Sequence, residues 1–358
     1  MVAQSQATHQ HQQQRALLAL IADGEWHSGE DLGAAFNVSR AAVWKQLQQL
    51  QAAGLSLESE RGKGYRLSYP VQLLDAECIR GNLSAAAKAL LSGLDIPFII
   101  DSTNTRAMQL IEGNQASGEN CSGRAIFAEQ QTAGRGRRGR NWVSPLASNI
   151  YCSLIWRFAS GAAALSGLSL AVGVATVQAL ESLGYKGVEL KWPNDLLWQG
   201  RKLGGILLEM SGDAAGPCDI VVGIGINVSM SQFVDKASRD QDHYSHTVTD
   251  PAAIDQAWVD LLEAASAADI SLNKNAIVSA MLNQLLPMLA SFEQQGFSGS
   301  KAEWIKRDAF IGRDIVLQLG DKQLAGQYQG VDSDGALLIN TSDGQQRFNG
   351  GEVSLRAS

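Results

Sequence analysis

The sequence has few of the residues that most often bind metals or act as nucleophiles. Its 358 residues include 4 cysteines and 5 histidines. The cysteines are widely separated and form no Cys-x-x-Cys pair, which excludes the usual zinc motifs and indicates reduced thiols. The histidines lie in the N-terminal 27 residues and at 243 and 246, so general-base catalysis by histidine is not expected. A Walker A loop and a Ser-His-Asp arrangement are also missing.

Charge and hydropathy narrow the class of protein further. The formal net charge is −7, with 18% charged and 45% hydrophobic residues, which is typical of a soluble globular protein. A generally basic nucleic-acid coat protein is excluded, so any DNA contact must come from a local surface. The N-terminus is rich in Gln and His and is not a signal peptide. The apolar stretch at 161–179 holds too many polar residues for a membrane span, and we expect a cytoplasmic protein without a membrane partner.

Helical and strand-like patterns divide the chain into a tail and three domains. We expect a disordered tail at 1–14. Three short helical patterns and a hairpin at 15–68 predict a winged helix-turn-helix. Alternating strands and helices at 69–309 predict an α+β domain with a mixed sheet, in which Pro287 kinks or interrupts a helix at 276–292 and a polar loop covers 232–250. A small β-barrel is expected at 310–358.

The basic residues of the first domain lie mostly on its third helix and on the hairpin turn. In a DNA complex the helix at 39–50 would enter the major groove. The DNA-binding residues predicted there, with the cap of the helix first, are Ser39, Arg40, Trp44, Lys45 and Gln46. The predicted phosphate contacts of the wing are Arg61, Lys63 and Arg66. Acidic and basic residues balance over 1–70, so a protein-interaction module or a remnant without function is the alternative.

Residues 134–140 read Gly-Arg-Gly-Arg-Arg-Gly-Arg and are followed by Asn141 and Trp142. The glycines let a ligand approach the main chain closely. The arginines supply planar charged groups that bind phosphate and carboxylate oxygens in pairs. This pattern predicts a loop that closes over an anion.

Other blocks predict a phosphate site next to that loop. Lys191-Trp-Pro-Asn-Asp195 and Arg201-Lys-Leu-Gly-Gly205 would bring Lys191 and Lys202 to one end of a hairpin, close to Asp195. Two lysines and a carboxylate suit a polyphosphate with a metal ion, although a lone lysine is more often a solvated surface charge. The glycines of 223–227 indicate close approach of a ligand or tight strand packing, and 102–104 form a helix cap or a polar ligand contact. Cations and glycines without an enzyme nucleophile favour adenylate formation, in which a carboxylate attacks ATP and pyrophosphate leaves.

In order and spacing, the blocks at 134–142, 191–195, 201–205 and 223–227 resemble the signature blocks of biotin protein ligases. With the winged helix ahead of them and the small barrel behind, the chain resembles the bifunctional biotin ligases that repress biotin-synthesis genes, from about Leu17 to Arg356. The resemblance implies a ligase domain similar to class II aminoacyl-tRNA synthetases and an SH3-like C-terminal barrel.

The resemblance also implies the substrates and partners. Biotin, ATP and Mg²⁺ would give biotinyl-5′-AMP, and a lysine of the biotin carboxyl carrier protein of acetyl-CoA carboxylase would accept the biotin. The adenylate-bound protein would form a homodimer that binds an inverted-repeat operator DNA. The alternatives are a biotin ligase without repressor activity, a ligand-sensing transcription factor with a degenerate ligase domain, and a lipoate ligase.

Matching the family's motifs to this sequence gives three groups of expected site residues, and leaves the metal ligands unassigned. The expected catalytic residues are Arg135, Lys202, Lys191 and Asp195. The expected biotin-binding residues are Ser102, Thr103, Asn104, Gln131, Gly134, Arg135, Lys202 and Gly205. The expected adenylate-binding residues are Arg137, Arg138, Trp142, Asn194 and Asn227.

Overall fold

The computed structural model describes residues 2–117, 119–161, 165–213, 216–232, 254, 256–319, 322–349 and 353–357. For residues 2–9, 115–117 and 353–357 it describes the backbone alone. The polar loop predicted at 232–250 lies outside the described residues from 233 onward.

The N-terminal residues form three helices and a hairpin, as predicted for a winged helix-turn-helix. Helices α1 (Val2–Ile21), α2 (Gly29–Phe36) and α3 (Arg40–Ala52) precede strands β1 (Leu57–Glu60) and β2 (Gly64–Leu67). Ser28 begins α2 by accepting a hydrogen bond from the Asp31 amide, and Ser39 begins α3 by accepting one from the Ala42 amide. Each serine satisfies a helix amide that would otherwise lack a partner. The two short helices therefore start where their caps predict.

The prediction of a disordered tail at 1–14 is wrong, because α1 extends back to Val2. Glutamine favours helix about as well as lysine or glutamate, so the Gln-rich run can continue the helix that begins the first domain. The side-chain amides of Gln10 and Gln14 both donate to Gln49 Oε1 on α3, at 3.2 and 3.0 Å. Composition suggested disorder, whereas this contact gives the extension a partner within the domain.

The winged helix packs directly on the domain that follows it. Apolar residues of α1 and α3 share a core with Phe98 and Leu146, which lie far along the chain. The Arg15 guanidinium donates to the backbone carbonyls of Leu74 and Ile96. The first domain is therefore held against the central one by both apolar and polar contacts.

The central domain is built on a mixed sheet of seven strands within the described residues, in the order β3-β5-β7-β11-β10-β9-β8. These strands are β3 (Gly93–Asp95), β5 (Arg124–Ala128), β7 (Ile150–Phe158), β8 (Val188–Lys191), β9 (Asp195–Trp198), β10 (Arg201–Gly212) and β11 (Cys218–Ile226). The β3–β5 pair is parallel, and all the other neighbours are antiparallel. Two short strands, β4 (Ile99–Ile100) and β6 (Gln130–Gln131), form a separate parallel pair. A mixed sheet was predicted, and it is confirmed.

Helices cover both faces of this sheet. One face packs on α7 (Leu168–Ser182) and α9 (Lys274–Gln295), whose apolar residues fill the main core. The other face packs on α6 (Thr103–Ser117) through Ala107 and Ile111, which meet Ile126, Ile155 and Val221 of the strands. The remaining helices are α4 (Ala76–Gly81), α5 (Ala85–Leu90), α8 (Leu261–Ala268) and α10 (Ser298–Arg307). The first turn of α6 contacts the inner strands, because Asn104 lies on Gly223 of β11 and Thr103 contacts Ser153 of β7.

Pro287 does not interrupt helix α9, although interruption was one of the two outcomes predicted for it. The helix runs through the proline for 22 residues without interruption. A proline inside a helix costs about 3 kcal/mol, and the eight apolar side chains that α9 buries against the core offset that cost. By length and composition α9 is also the one described helix that could cross a membrane, a test that core helices of soluble proteins pass as well.

A buried ion pair joins α9 to the strand that enters the site. Lys274 Nζ lies 2.8 Å from Glu129 Oε2 and donates to the Ala147 carbonyl at 3.1 Å. The two side chains are 3% and 0% exposed. The other Glu129 oxygen accepts the backbone amide of Leu74 from the segment that links the two domains. Glu129 directly precedes β6, so this cluster fixes the start of the strand that carries Gln131.

The C-terminal strands form a five-stranded antiparallel sheet in the order β15-β14-β13-β12-β16. They are β12 (Asp314–Leu319), β13 (Lys322–Val331), β14 (Leu337–Thr341), β15 (Gly344–Phe348) and β16 (Val353–Ala357). Within the described residues the outer strands β15 and β16 do not pair with each other, so the sheet is open and no closed barrel is found. The spacing of strand-like runs and turns predicted a barrel for this domain. Such spacing indicates where strands and turns lie, but it does not indicate whether the two outer strands pair.

Candidate functional site

A cavity of about 890 Å³ opens over the strands β10, β11 and β7. Its floor contains three glycines, of which Gly205 and Gly225 pair with each other, while Gly223 pairs with Leu207. A Cβ at Gly223 would lie 2.4 Å from Asn104 Oδ1, and a Cβ at Gly225 would lie 2.5 Å from Trp142 Cε2. These glycines are therefore needed because two site side chains rest on the strand backbone.

A β-bulge directs Lys202 into the cavity. The β9–β10 pairing skips Leu203, so that Lys202 faces the same side of the sheet as Gly205 and Asp195. Lys202 Nζ lies 3.0 Å from Asp195 Oδ1 and 5.6 Å from the centre of the Trp142 ring. Both members of this ion pair are largely buried, at 17% and 16% exposure. The site therefore contains a paired lysine and carboxylate beside an aromatic ring.

The Lys191–Asp195 block is held from three sides. The buried Trp192 indole donates to the carbonyl of Gly335, in the turn between β13 and β14 of the C-terminal domain, at 3.0 Å. The Ser169 hydroxyl of α7 donates to the Pro193 carbonyl at 3.0 Å. Asn194 exchanges two hydrogen bonds with the Ile206 backbone, at 2.8 and 2.9 Å. This anchoring fixes the positions of Lys191 and Asp195, which lie directly opposite each other on β8 and β9.

The arginine-rich loop, residues 134–142, forms a hairpin over the cavity. The Trp142 amide donates to the Gly134 carbonyl at 2.9 Å, and the Gly136 amide donates to the Arg140 carbonyl at 2.6 Å. A Cβ at Gly134 would lie 2.5 Å from the Trp142 carbonyl oxygen, so the close crossing of the strands requires glycine there. Arg138, at the tip, has a left-handed backbone with φ of 57°. The loop is thus closed at its base by its own backbone.

Two arginines attach the tip and one side of the hairpin to the sheet. Arg137 Nη1 donates to Asn194 Oδ1 at 2.9 Å, and burial lowers the pKa of this guanidinium. Arg135 Nη2 donates to Glu209 Oε2 at 2.7 Å. Arg138 and Arg140 are exposed. The arginine-rich loop therefore spans the cavity from β10 to the Lys191–Asp195 block.

Buried polar side chains line the opposite end of the cavity. The Thr103 amide and hydroxyl both donate to Gln131 Oε1, at 2.9 and 3.1 Å. Ser153 Oγ lies 2.8 Å from Thr103 Oγ1 and 2.5 Å from Asn104 Oδ1. Gln131 Nε2 donates to Ser144 Oγ at 3.2 Å. These groups are preorganised by one another, so a ligand here would meet fixed donors and acceptors.

The cavity brings together nearly all the site residues that the sequence predicted. The predicted residues on its walls are Ser102, Thr103, Asn104, Gln131, Arg135, Arg137, Arg138, Trp142, Lys191, Asn194, Asp195, Lys202, Gly205 and Asn227. Gly134 lies at the base of the arginine-rich loop rather than on the walls. Sequence reasoning missed Glu209 and Ser153, which are single polar residues on strands and carry no motif. Alternation along β10 and β7 is the signal that could have placed them on this face.

The donor set for a metal ion is small. Among the described residues no group of three or more His, Cys, Asp or Glu side chains could hold a metal. Asp195 is the one carboxylate among the described residues of the cavity wall, and it already faces Lys202. A single carboxylate fits Mg²⁺ that is bound mainly by substrate phosphates and water.

Most of the DNA-binding residues predicted on α3 are exposed. Trp44 is half exposed, Arg40 and Lys45 are exposed, and Gln46 is partly buried. Ser39 acts as the cap of α3. These positions match a recognition helix that presents its first two turns to a groove.

The basic residues of the wing are partly neutralised. Lys63 pairs with Glu60 and Arg66 pairs with Glu58, at 2.9 and 2.8 Å. Both cations also lie over the Trp26 ring, 5.6 and 4.7 Å from its centre. Arg61 is exposed, with no ion pair among the residues that the structure describes. Arg61 is therefore the wing cation best placed for a phosphate.

Comparison with known proteins identifies all three parts of the chain. Residues 12–66 match a helix-turn-helix domain, residues 96–227 match the biotin/lipoate A/B protein ligase family, and residues 310–356 match the biotin protein ligase C-terminal domain. The chain is 40% identical over 342 residues to the bifunctional ligase/repressor BirA of Escherichia coli, covering 96% of this chain and 97% of the relative. It is 33% identical to the biotin–[acetyl-CoA-carboxylase] ligase of Paracoccus denitrificans, over 71% of this chain and 96% of that one.

A solved structure shows the same similarity. The biotin protein ligase of Aquifex aeolicus in complex with biotin and ATP matches with a TM-score of 0.58 and 26% identity. The match covers 75% of this chain and all of that one. The fold and the cavity therefore define a ligase with an attached DNA-binding domain. The chain belongs to the family of bifunctional biotin ligases and repressors.

Proposed function

We propose that this protein joins biotin to ATP to form biotinyl-5′-AMP and then transfers biotin to a lysine of a biotin carboxyl carrier protein. The observation that carries the proposal is one cavity with buried neutral polar groups at one end and Arg135, Arg137, Lys191 and Lys202 around the other. A biotin ring needs hydrogen bonds without net charge, whereas its carboxylate and the triphosphate need cations. The cavity offers both in a single continuous space.

The neutral end would bind the biotin ring. Ser102, Thr103, Asn104 and Gln131 are each at most 6% exposed. Thr103 is hydrogen-bonded to Gln131, and Asn104 to Ser153. Fixed amide and hydroxyl groups of this kind recognise a ligand that carries both N–H and C=O groups. Gly205 would let the ligand lie against the strand backbone. Gly134 would serve the site indirectly, because its missing Cβ lets the base of the arginine-rich loop close on Trp142.

The charged end would carry the first reaction step. An oxygen of the biotin carboxylate attacks the α-phosphorus of ATP, and the bond from that phosphorus to pyrophosphate breaks. Negative charge accumulates on the α-phosphate, where Arg135 and Lys202 would stabilise it and Lys191 would contact the leaving pyrophosphate. Asp195 would provide one ligand to the Mg²⁺ that enters with ATP. The phosphates and water would provide the other ligands.

The adenine would lie next to Trp142. Its indole rests on Gly225, and its buried N–H has no hydrogen-bond partner among the described residues. Asn227 donates its amide hydrogens to the Lys202 and Val259 carbonyls, which leaves its side-chain oxygen to face the base. Arg137, Arg138 and Asn194 would close over the adenylate. In the second step the lysine amine of the carrier attacks the anhydride carbonyl, AMP leaves, and a proton is released as the amide forms.

We also propose that the adenylate-bound protein is a cytoplasmic homodimer that binds inverted-repeat operator DNA and represses transcription. The exposed face of α3 supports this, because Arg40, Trp44 and Lys45 lie together on it. A two-fold dimer would place two such helices on successive half-sites. By the same family relation the ligase domain is of the class II aminoacyl-tRNA-synthetase type and the C-terminal sheet is SH3-like.

Pyrophosphate release and transfer to an apo carrier domain test the enzyme. We expect release that requires biotin and ATP together, followed by one biotin per carrier domain. Lys202→Met should reduce release at least a hundredfold, while Lys88→Met, at an exposed lysine of α5, should leave it unchanged. Release with lipoate but not with biotin would refute the proposal.

A gel shift on inverted-repeat DNA tests repression separately. We expect a shift that needs biotin and ATP together and that disappears when the two half-sites are moved apart by half a helical turn. A protein that biotinylates its carrier but gives the same weak shift with and without ligands would be a ligase without repressor activity.

A further inference from the structure

Glu209 is an acidic residue at the edge of a cavity that otherwise collects cations. It lies on β10, on the same face of the sheet as Gly205 and Leu207 of the floor. Its side chain is 25% exposed, and its partner Arg135 is 42% exposed. A carboxylate beside an anion site repels the anionic ligand. Glu209 is therefore expected to have a role that outweighs this repulsion, and its contacts indicate which role.

One oxygen of Glu209 holds two groups that the proposed reaction uses. Arg135 Nη2 and Asn104 Nδ2 both donate to Glu209 Oε2, each at 2.7 Å. Asn104 is itself fixed, because its Oδ1 meets Ser153 Oγ and its amide rests on the backbone of Gly223. Glu209 is therefore held by its own strand β10 and by the hydrogen bond from Asn104, which rests on Gly223 of β11. Arg135 comes from the hairpin, and its only described side-chain hydrogen bond is the one to Glu209.

This contact leaves part of Arg135 available. The structure describes no other hydrogen bond of its side chain, so Nε and Nη1 can face substrate oxygens while Nη2 stays on Glu209. A guanidinium has five donors in a fixed plane, and fixing one nitrogen sets the direction of the others. Backbone contacts of the hairpin hold Cα of Arg135 but not the end of its long side chain.

We propose that Glu209 is a positioning residue for adenylation, which orients Arg135 toward the biotin carboxylate and the α-phosphate. The same Glu209 oxygen also accepts a hydrogen bond from Asn104, at the proposed biotin end of the cavity. Glu209 therefore orients the Arg135 guanidinium relative to the residue that would bind biotin. The inference rests on the proposed function, since it gives Arg135 a role in adenylate formation. Glu209 itself does not touch the reacting atoms.

Single-turnover pyrophosphate release by the full-length protein tests this role. Glu209→Gln keeps the shape of the side chain but removes the charge that strengthens the bond to Arg135. We expect the rate constant at saturating biotin and ATP to fall about tenfold, with the biotin dissociation constant changed less than threefold. Glu263→Gln is the matched control, because it breaks the exposed Arg201–Glu263 pair at the start of the same strand, and it should retain the wild-type rate.

A double-mutant cycle separates positioning from a general effect on folding. In an Arg135→Met background, Glu209→Gln should cause no further loss, because its effect passes through that arginine. An equal loss in both backgrounds, or a wild-type rate for Glu209→Gln, would overturn the inference. If the Gln variant does not fold by near-ultraviolet circular dichroism, Glu209→Asp is measured with the same expectations. Failure of the wild-type protein to release pyrophosphate with biotin would instead refute the proposed function.

Discussion

Replacing Arg137 with serine would test whether the arginine-rich loop retains the reactive adenylate. The Arg137 guanidinium makes one described hydrogen bond, to Asn194 Oδ1 at 2.9 Å, and it links the loop to the anchored Lys191–Asp195 block. A hydrogen bond with a charged donor contributes about 1.5–3 kcal/mol. Arg137 is only partly buried, so we take about 1.5 kcal/mol, which corresponds to roughly a tenfold change in the closed population of the loop.

The expected result is that Arg137→Ser releases biotinyl-5′-AMP about ten times faster than the wild-type protein. The release is measured by trapping labelled adenylate on the enzyme, adding excess unlabelled biotin and ATP, and following the label retained on a filter. Escaped adenylate should also biotinylate lysines of a bystander protein. Arg140→Ser is the control, because Arg140 belongs to the same loop but its side chain is exposed. The reasoning fails if the release rate of Arg137→Ser stays within twofold of wild type, or if Arg140→Ser gives the same increase.

Three further changes test other parts of the molecule. Lys274→Met leaves Glu129 buried without its cation and should lower the free energy of unfolding by about 3–5 kcal/mol in urea titrations; a loss under 1 kcal/mol would contradict the burial of the pair. Trp192→Phe keeps an aromatic side chain but leaves the Gly335 carbonyl without its donor, so the C-terminal sheet should be cleaved several times faster in limited proteolysis. Unchanged cleavage would argue against this anchor. Lys45→Ala should weaken operator binding about tenfold in gel shifts while pyrophosphate release is unchanged, and equal losses of both would indicate a folding defect.

Local motifs predicted the site better than they predicted the fold around it. The arginine-rich loop and the Lys191–Asp195 block are each contiguous in sequence, and their residue types are restricted by charge and by close approach. Gly223 and Gly225 could be marked from sequence as points of close approach, although only the structure shows that Asn104 and Trp142 rest on them. The cavity therefore collects residues that sequence could identify block by block.

Contacts between distant residues account for what the sequence did not reveal. Lys274 and Glu129 are 145 positions apart, and neither belongs to a motif. Glu209 is one charged residue in an alternating strand, and alternation predicts its face but not its partner. The helical N-terminus depends on a contact with Gln49, and the unbroken helix at Pro287 depends on its buried side. In these cases tertiary packing overrides the local preference.

The hydrogen bond from Trp192 to Gly335 has a consequence for any attempt to make a smaller enzyme. Every described residue on the cavity walls precedes residue 259, so a protein that ends at 309 would retain these residues. Yet the Trp192 indole would lose its acceptor, and the bond from the Ala309 amide to the Leu190 carbonyl would lie at a frayed chain end. The block that aligns Lys191 and Asp195 would then be free to shift. A boundary that looks suitable for truncation in the sequence is, in the folded protein, part of the support of the catalytic site.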